Sequence, residues 1–469
     1  VARFMRTAAV VAFASALCTA ASVAAHPTAA PLPAAAPSAC RRTLVVVAHP
    51  DDDLLFINPD IMAAVARNCF VSTVYLTTGD GGEAVPQEAK NYVLNRENGV
   101  RRAYAEMAGV PDDWRADAVR ADGRGIRSFR LAGGGRGKDV RLTFLGLYDG
   151  KPRGGRPQSL LRLFNADRKA ITPMQGATSY TEEQLVSVLA ALIRRARADT
   201  VLTLDPDVAS FATGTDGHVD HSDHAITARY AREAAYRTGA HPYYYRGYTV
   251  APLSRNLTPG ETSWKERITR WYLATSQCPR ERVCAPAKEA EAVLGATYRR
   301  WVERRYQRTH RDPRPGEILA DVGRTTRHSG DTAEQCLTAP AGSWNSGPVR
   351  LHACDGSTEQ EWNTAADHTI RPRLNPNHCL TAADTSARLS PCRPSDTNQS
   401  WRPLPWSAAH WQRTAWRLSG AGNRCLYQND RHLPRWNGEA DQSPRLELVN
   451  CTGPPLPGFY WRSSPPPTG

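Results

Sequence analysis

The segment Thr43–Asp53, TLVVVAHPDDD, runs from β-branched residues into an imidazole and three carboxylates: His49, Asp51, Asp52 and Asp53. Such a crowd of ionisable side chains repels itself unless water or a cation compensates. An imidazole and a carboxylate three residues apart, at the carboxyl end of a buried strand, can grip one zinc ion. The neighbouring carboxylate is then free to act as a base. About 170 residues on, GHVDHSDH (217–224) offers His218, His221 and His224 among Asp220 and Asp223, with Asp216 just before it. Residues 225–238 have the Ala, Ile and Arg spacing of a helix. His221 and His224, three apart, would then share one face. One can ligate a metal while the other points into the pocket, and the carboxylates beside them can orient an imidazole through its second nitrogen. A lone His-Pro-Asp reads as a polar turn; the second His/Asp cluster shifts the reading to a metal site.

The elements that must position these residues alternate. Strands are expected at Thr43–Ala48, Val71–Thr77, Arg141–Gly146 and Thr200–Leu204, and helices at Pro59–Asn68, Asn91–Ala108 and Thr181–Ala198. The last helix opens on a capping box, Thr181 with Gln184. This pattern predicts an α/β fold: a Rossmann-like, mostly parallel sheet with helices on both faces. Ligands in such sheets sit beyond the carboxyl ends of the strands. His49 lies there, and so does Asp205-Pro206-Asp207, shortly before the histidine cluster. Residues 121–139 and 149–158, rich in Gly and Arg, read as loops on a cleft rim or as surface insertions. The end of the basic stretch 298–330 reads as a domain linker.

The 469-residue chain allows two or three domains and carries a formal net charge of +13. That suggests acidic partners or acidic cell-surface polymers, but a basic solvated surface with no such partner is the favoured reading. The arginines are spread along the whole chain, with no basic stretch interleaved with aromatics, so nucleic acid is not expected as a partner. Residues 1–25 read as a secretory signal: Arg3 and Arg6, an apolar stretch, then Val23-Ala24-Ala25. Residues 26–40 form a Pro/Ala linker. No other segment is apolar and long enough to span a membrane, so stable membrane insertion is not expected. A secreted, extracellular protein follows. Setting aside Cys18 in the signal, the other ten cysteines fall into neighbouring pairs: 40 with 69, 278 with 284, 336 with 354, 379 with 392, and 425 with 451. Disulfides are the default for an exported chain.

After Asp331 helical periodicity vanishes and three copies of one unit appear. Each opens on Cys-Leu (336, 379, 425), and each has a leucine three residues before its second cysteine. Two end on Gln-x-Trp, Gln360/Trp362 and Gln399/Trp401; the third has Tyr460-Trp461. Three such units imply a closed threefold β assembly, an all-β domain over 331–469. The pattern resembles the ricin B-type β-trefoil lectin family. That resemblance implies carbohydrate binding, through a carboxylate two residues after each first cysteine. Here those positions hold Thr338, Thr381 and Tyr427. Targeting to a glycan or cell-wall surface and a purely structural module both stay open.

Residues 41–320 resemble the PIG-L (LmbE-like) zinc deacetylase family, on Ala48-His49-Pro50-Asp51-Asp52 and a later His-x-Asp-His. The resemblance implies that His49 and Asp52 bind Zn2+ or another divalent metal and that Asp51 is the general base. It further implies that the last histidine of His-x-Asp-His completes the metal site and the first stabilises the intermediate. Two registers fit. In the preferred one His224 is the ligand and His221 the stabiliser; in the other His221 is the ligand and His218 the stabiliser. Asp53 stands where the family usually has Glu. Arg96, on the helix NRENGVRRAYAEMAGV, is a candidate substrate contact. Asp80, in TTGDGGE, either reaches a sugar hydroxyl or sits in a tight turn. The implied function is a secreted hydrolase that removes the N-acetyl group from an amino sugar or glycoconjugate. The alternatives are a zinc deacylase of a glycolipid or glycopeptide, and a non-catalytic glycan-binding protein.

Overall fold

The structure is a computed structural model. It describes residues 40–463 apart from 133–138, 177, 216, 218, 286–291, 309–310, 322–323, 326–331, 341, 343, 345–346, 405–414, 420–421, 431–444 and 452–456. The expected signal (1–25) and all of the linker but Cys40 lie outside the described residues, as do Asp216 and His218.

Eight strands form the first sheet: β1 (Thr43–Val47), β2 (Val71–Thr77), β3 (Trp114–Ala121), β4 (Arg124–Leu131), β5 (Val140–Leu147), β6 (Thr200–Leu204), β7 (His241–Tyr245) and β8 (Gln307–Arg308). Their order is β3-β4-β5-β2-β1-β6-β7-β8. The five strands from β5 to β7 are parallel, with antiparallel strands at both edges. β1 lies in the middle with all five residues buried, as a parallel strand covered on both faces must be. Alternation sends Val45 and Val47 to one core with Phe56, Tyr104 and Tyr272. It sends Leu44 and Val46 to the other, with Leu185, Leu189 and Ile226. The first face is covered by α1 (Asp60–Ala66), α2 (Pro86–Ala108), α6 (Pro259–Ser276) and α7 (Ala296–Val302). The second is covered by α3 (Leu160–Phe164), α4 (Glu182–Ala196) and α5 (Ser222–Thr238). The capping box Thr181/Gln184 forms at the start of α4.

Two segments differ from expectation. Much of 121–139 is a strand: β4 pairs with β3 along its whole length. Its turn is Asp122-Gly123, both at positive φ (48° and 72°), the backbone that a two-residue hairpin requires. Arginines at every third position, Arg124, Arg127 and Arg130, masked the period of two. The stretch 298–330 holds α7, β8 and a further strand, β9 (Ile318–Ala320). β9 pairs with Cys336 on one side and Trp461–Ser463 on the other. β9 thus lies in a four-stranded sheet with strands of the all-β region.

In the trefoil each repeat is a hairpin, Gln335–Thr338 with Arg350–Ala353, His378–Ala383 with Ser386–Pro391, and Arg424–Asn429 with Arg445–Asn450. All five cysteine pairs are disulfides, and three of them staple these hairpins. The repeat logic is a single hydrogen bond used three times. Trp362, Trp401 and Trp461 donate Nε1–H to the carbonyls of Leu337, Leu380 and Leu426, at 2.8, 2.8 and 3.4 Å. All six side chains meet in one core.

The trefoil is docked on α5. Asp430 Oδ2 accepts from Arg229 Nε at 3.3 Å and from Arg232 Nη2 at 3.1 Å. Arg232 also reaches Asp207 at 3.3 Å, and Arg308 pairs with Asp205 and Asp207. Tyr236 bonds Asp321. These charges are buried and mutually paired, the condition under which buried ions are tolerated. No described helix is long and apolar enough to cross a membrane.

Candidate metal centre

The chain leaves β1 at His49 and turns sharply, with the amides of Asp51 and Asp52 both bonding the His49 carbonyl at 2.8 and 3.2 Å. The His49 amide donates back to Asp52 Oδ2 at 2.7 Å. This turn folds the Asp52 carboxylate under the His49 ring. From the other side comes the start of α5. His221 is its N-cap, its Nδ1 accepting from the Asp223 amide at 3.2 Å, and His224 lies in the first turn.

His49 Nδ1 and His224 Nε2 are 3.1 Å apart. Asp52 Oδ2 lies 3.5 Å from His49 Nδ1, and Asp52 Oδ1 lies 3.0 Å from His224 Nε2. The three donor atoms fall within 4.8 Å of one another, and all three residues are buried. Two imidazoles and one carboxylate converging on a point are a donor set that catalytic zinc sites use. Each imidazole has a carboxylate on its far nitrogen: Asp220 at 2.7 Å from His224 Nδ1, and Asp223 at 3.4 Å from His49 Nε2. Such partners fix ring orientation and tautomer around a metal. Asp223 is itself held by the Gly150 amide at 2.8 Å, a contact with no space for a side chain at position 150. Its Oδ1 is buried without a partner. The donors fit a divalent cation.

The electrostatics agree. Burial opposes charge on His224, but Asp52 and Asp220 outweigh it and lift its pKa to about 9. His49 is likewise raised, burial being overcome chiefly by Asp52. Asp52 is held well below the carboxylate range despite its burial, by His224 and His49. Carboxylates that hold protons on two facing imidazoles would hold a cation in their place. His49, Asp149, His221 and Asp223 form a second compact grouping. It shares His49, and a neutral imidazole has one lone pair, so one cation cannot occupy both. Asp52, with an oxygen toward each facing nitrogen, favours the first.

Asp51 lies beside the donor set but is held separately. Arg96 Nη2 bonds its Oδ1 at 2.5 Å, and Arg96 Nη1 bonds the Gly79 carbonyl at 2.7 Å. Gly79, at φ 60°, lets the guanidinium approach: a Cβ there would lie 2.7 Å from its central carbon. Burial raises the Asp51 pKa, with Arg96 opposing. Arg96, read from the sequence as a substrate contact, is buried and grips Asp51, because α2 aims it inward across the turn. Asp80 sits in a tight turn, the second of its two readings: its carbonyl accepts from the Glu83 amide at 3.2 Å across Gly81 and Gly82, both at positive φ. It is fully buried and accepts from Thr78 Oγ1 at 3.1 Å and the Asp149 amide at 3.0 Å, and it pairs with Arg156. Its carboxylate holds the loop after β5. Asp53 turns away from the centre into the core, where Tyr75 and Tyr104 donate to it at 2.9 and 2.7 Å and burial lifts its pKa to about 7.

His221 sits apart from Asp52, its Nε2 3.6 Å from Asp149 Oδ1. Burial and the neighbouring His49 lower its pKa to about 4. Since Nδ1 accepts the Asp223 amide, the neutral ring carries its proton on Nε2. Asp149 escaped the sequence reading. Its signal was position alone, directly past the end of a buried strand in the Tyr148-Asp149-Gly150 turn. An aromatic wall completes the site: Tyr248 packs 4.9 Å from the His224 ring and stacks on Trp301 at 4.8 Å.

Two family models match the chain. Residues 44–235 match the family model for GlcNAc-PI de-N-acetylase, PIG-L, and residues 325–431 match the ricin-type beta-trefoil lectin domain. The chain thus carries a PIG-L/LmbE-like domain followed by a ricin B-type β-trefoil domain. Among curated relatives, the 1D-myo-inositol 2-acetamido-2-deoxy-alpha-D-glucopyranoside deacetylase 1 of Catenulispora acidiphila is 28% identical, over 44% of this chain and 52% of its own. The corresponding deacetylase of Thermomonospora curvata is 27% identical, over 47% and 61%. The chain therefore spans about half to three-fifths of the length of these relatives. Among solved structures, the C-half of an earthworm R-type lectin in complex with GalNAc is similar to 31% of this chain and 93% of its own, at 13% identity and a TM-score of 0.23.

Proposed function

We propose that the α/β domain is a metal-dependent N-deacetylase acting on an amino sugar of the N-acetylglucosamine type, free or within a glycoconjugate. The observation that carries this reading is the pairing of the His49–Asp52–His224 donor set with an adjacent carboxylate, Asp51, held by Arg96. The relatives' names point to the same class of substrate. The three donors would hold Zn2+ or another divalent cation, which when bound polarises an amide carbonyl and acidifies water. Asp51, its basicity raised by burial, takes the proton of the attacking water. Arg96 is a positioning residue that keeps the carboxylate aimed. His221, neutral with its proton on Nε2, donates to the oxygen that gains negative charge as the amide carbon becomes tetrahedral. Asp51 returns the proton to the nitrogen, the C–N bond breaks, and acetate leaves a free amine. The Asp223 amide, donating to Nδ1, orients the His221 ring. The five disulfides support the secreted reading, since they persist in oxidising compartments.

The test is acetate release from a panel of N-acetyl amino sugars. Asp51→Asn is expected to lower kcat by about 10²–10⁴-fold, with bound metal unchanged. Fatty acid released in place of acetate would replace the deacetylase by a deacylase of longer acyl amides. No release of either, with full metal content, would overturn the enzyme.

A further inference from the structure

We propose that the second repeat of the trefoil carries a binding groove for a polysaccharide bearing carboxylate or phosphate groups. The groove, about 970 Å³, lies between Ile370–Pro372, the loop Cys392–Thr397, and the paired strands Trp401–Pro403 and Trp416–Leu418.

Register makes it basic. Trp401 stands opposite Leu418, and Pro403 opposite Trp416. Trp401, Leu418 and Trp416 are buried in the trefoil core. Alternation must then send the intervening residues outward. Those are Arg402 and Arg417, directly opposite each other and exposed. Like charges directly opposite on one face of a ladder destabilise it. Arg393 adds a third exposed guanidinium to the same lining. Among the described residues none of these three pairs with a carboxylate, whereas their neighbours Arg371 and Arg373 pair with Asp367 and Glu361. The carboxylates that line the groove are engaged: Asp367 with Arg371 and Thr369, and Asp396 with the Asn398 amide. The arrangement is short of negative charge, and an anionic ligand would supply it.

The chemistry narrows the class. Guanidinium forks match the paired oxygens of carboxylate and phosphate. Ser395, Thr397, Ser419 and Asn423, set among the arginines, suit a hydroxyl-rich polymer. Among the described residues the groove is lined by guanidinium, hydroxyl and amide groups and by no aromatic ring. The site is also separate from the positions two residues after the first cysteines. There the hydroxyls of Thr338 and Thr381 accept from Gln360 and Gln399 at 3.3 and 3.0 Å, inside the repeat.

The experiment measures binding of the full chain to polygalacturonate, phosphorylated dextran, unmodified dextran and a short DNA duplex. Binding to polygalacturonate, phosphorylated dextran or both is expected, and which of them binds identifies the anionic group. The double variant Arg402→Gln/Arg417→Gln should weaken that binding at least about tenfold, with a melting temperature no lower than wild type because a repulsion has been removed. The charge-matched variant Arg350→Gln/Arg388→Gln, elsewhere on the trefoil, should bind within about twofold of wild type. Failure to bind either charged glycan, equal binding to unmodified dextran, or an equal loss in the charge-matched variant would overturn the proposal. Tighter binding to the DNA duplex than to either glycan would do so as well, in favour of nucleic acid.

Discussion

The two domains handle charge in opposite ways. In the α/β domain, charged side chains converge inward on the carboxyl ends of β1, β5 and β6, each positioned by a different segment: Asp52 by its own turn, His224 by α5, Asp51 by Arg96. In the trefoil the interior is apolar and repeated, and charge is pushed outward by strand alternation. A site assembled once, from segments far apart in sequence, has no spare copy. A core assembled three times from one hydrogen bond spreads its stability over equivalent positions. The repeats can therefore drift, as Tyr427 and the missing third Gln-x-Trp show, while the fold persists.

The sharpest test of that contrast is within α5. His224→Ala is expected to lose the cation and bring activity to background, while His221→Ala retains the cation and lowers kcat by about 10²–10³-fold. Metal content and acetate release, measured together, check both. Loss of metal in His221→Ala would move the third ligand one helical turn. In the trefoil, Trp401→Ala should destabilise that domain by about 3–5 kcal/mol, read by calorimetry, with metal content unchanged. A fall in metal content would break the separation of the two domains. Asp430→Ala probes the contact between them: Arg229 and Arg232 would lose a buried carboxylate, a change worth roughly 3 kcal/mol. It should lower the melting temperature and reduce kcat only a few-fold, since α5 keeps its packing on the sheet. The gentlest perturbation is pH. His224 holds a proton up to about 9 in the metal-free protein, and the cation must displace it. Apparent zinc affinity should then rise by about tenfold per pH unit for each proton displaced and level off above about 9. Titration in buffers of different ionisation heat would count the protons.

Much of this was legible in the chain. Four parallel strands of the α/β domain, the α4 capping box, the three trefoil repeats and the five disulfides follow local patterns of period, spacing and cysteine pairing. The Arg-rich strand β4 was hidden, because long arginine stems satisfy a half-buried face while reading as polar. Asp149 was hidden because a single acidic residue after a strand is common. The partners of Asp80 and Arg96 were hidden too, since nothing local shows that Asp80 meets Arg156 or that Arg96 meets Asp51.

The sequence by itself determined the central strands β1, β2, β5 and β6, the helices α1, α2 and α4, the threefold repeat, and the residue types able to hold a cation: His49, Asp52 and one of two histidines. Tertiary structure decided the rest. It turned His224 toward Asp52 and His221 toward Asp149, set Arg96 behind Asp51, and placed Arg402 against Arg417. The physical reason is reach. Periodicity and capping act over a few residues and are written in adjacent letters. A site whose members lie 45 to 175 residues apart is written in strand order and register, which exist once the chain has packed.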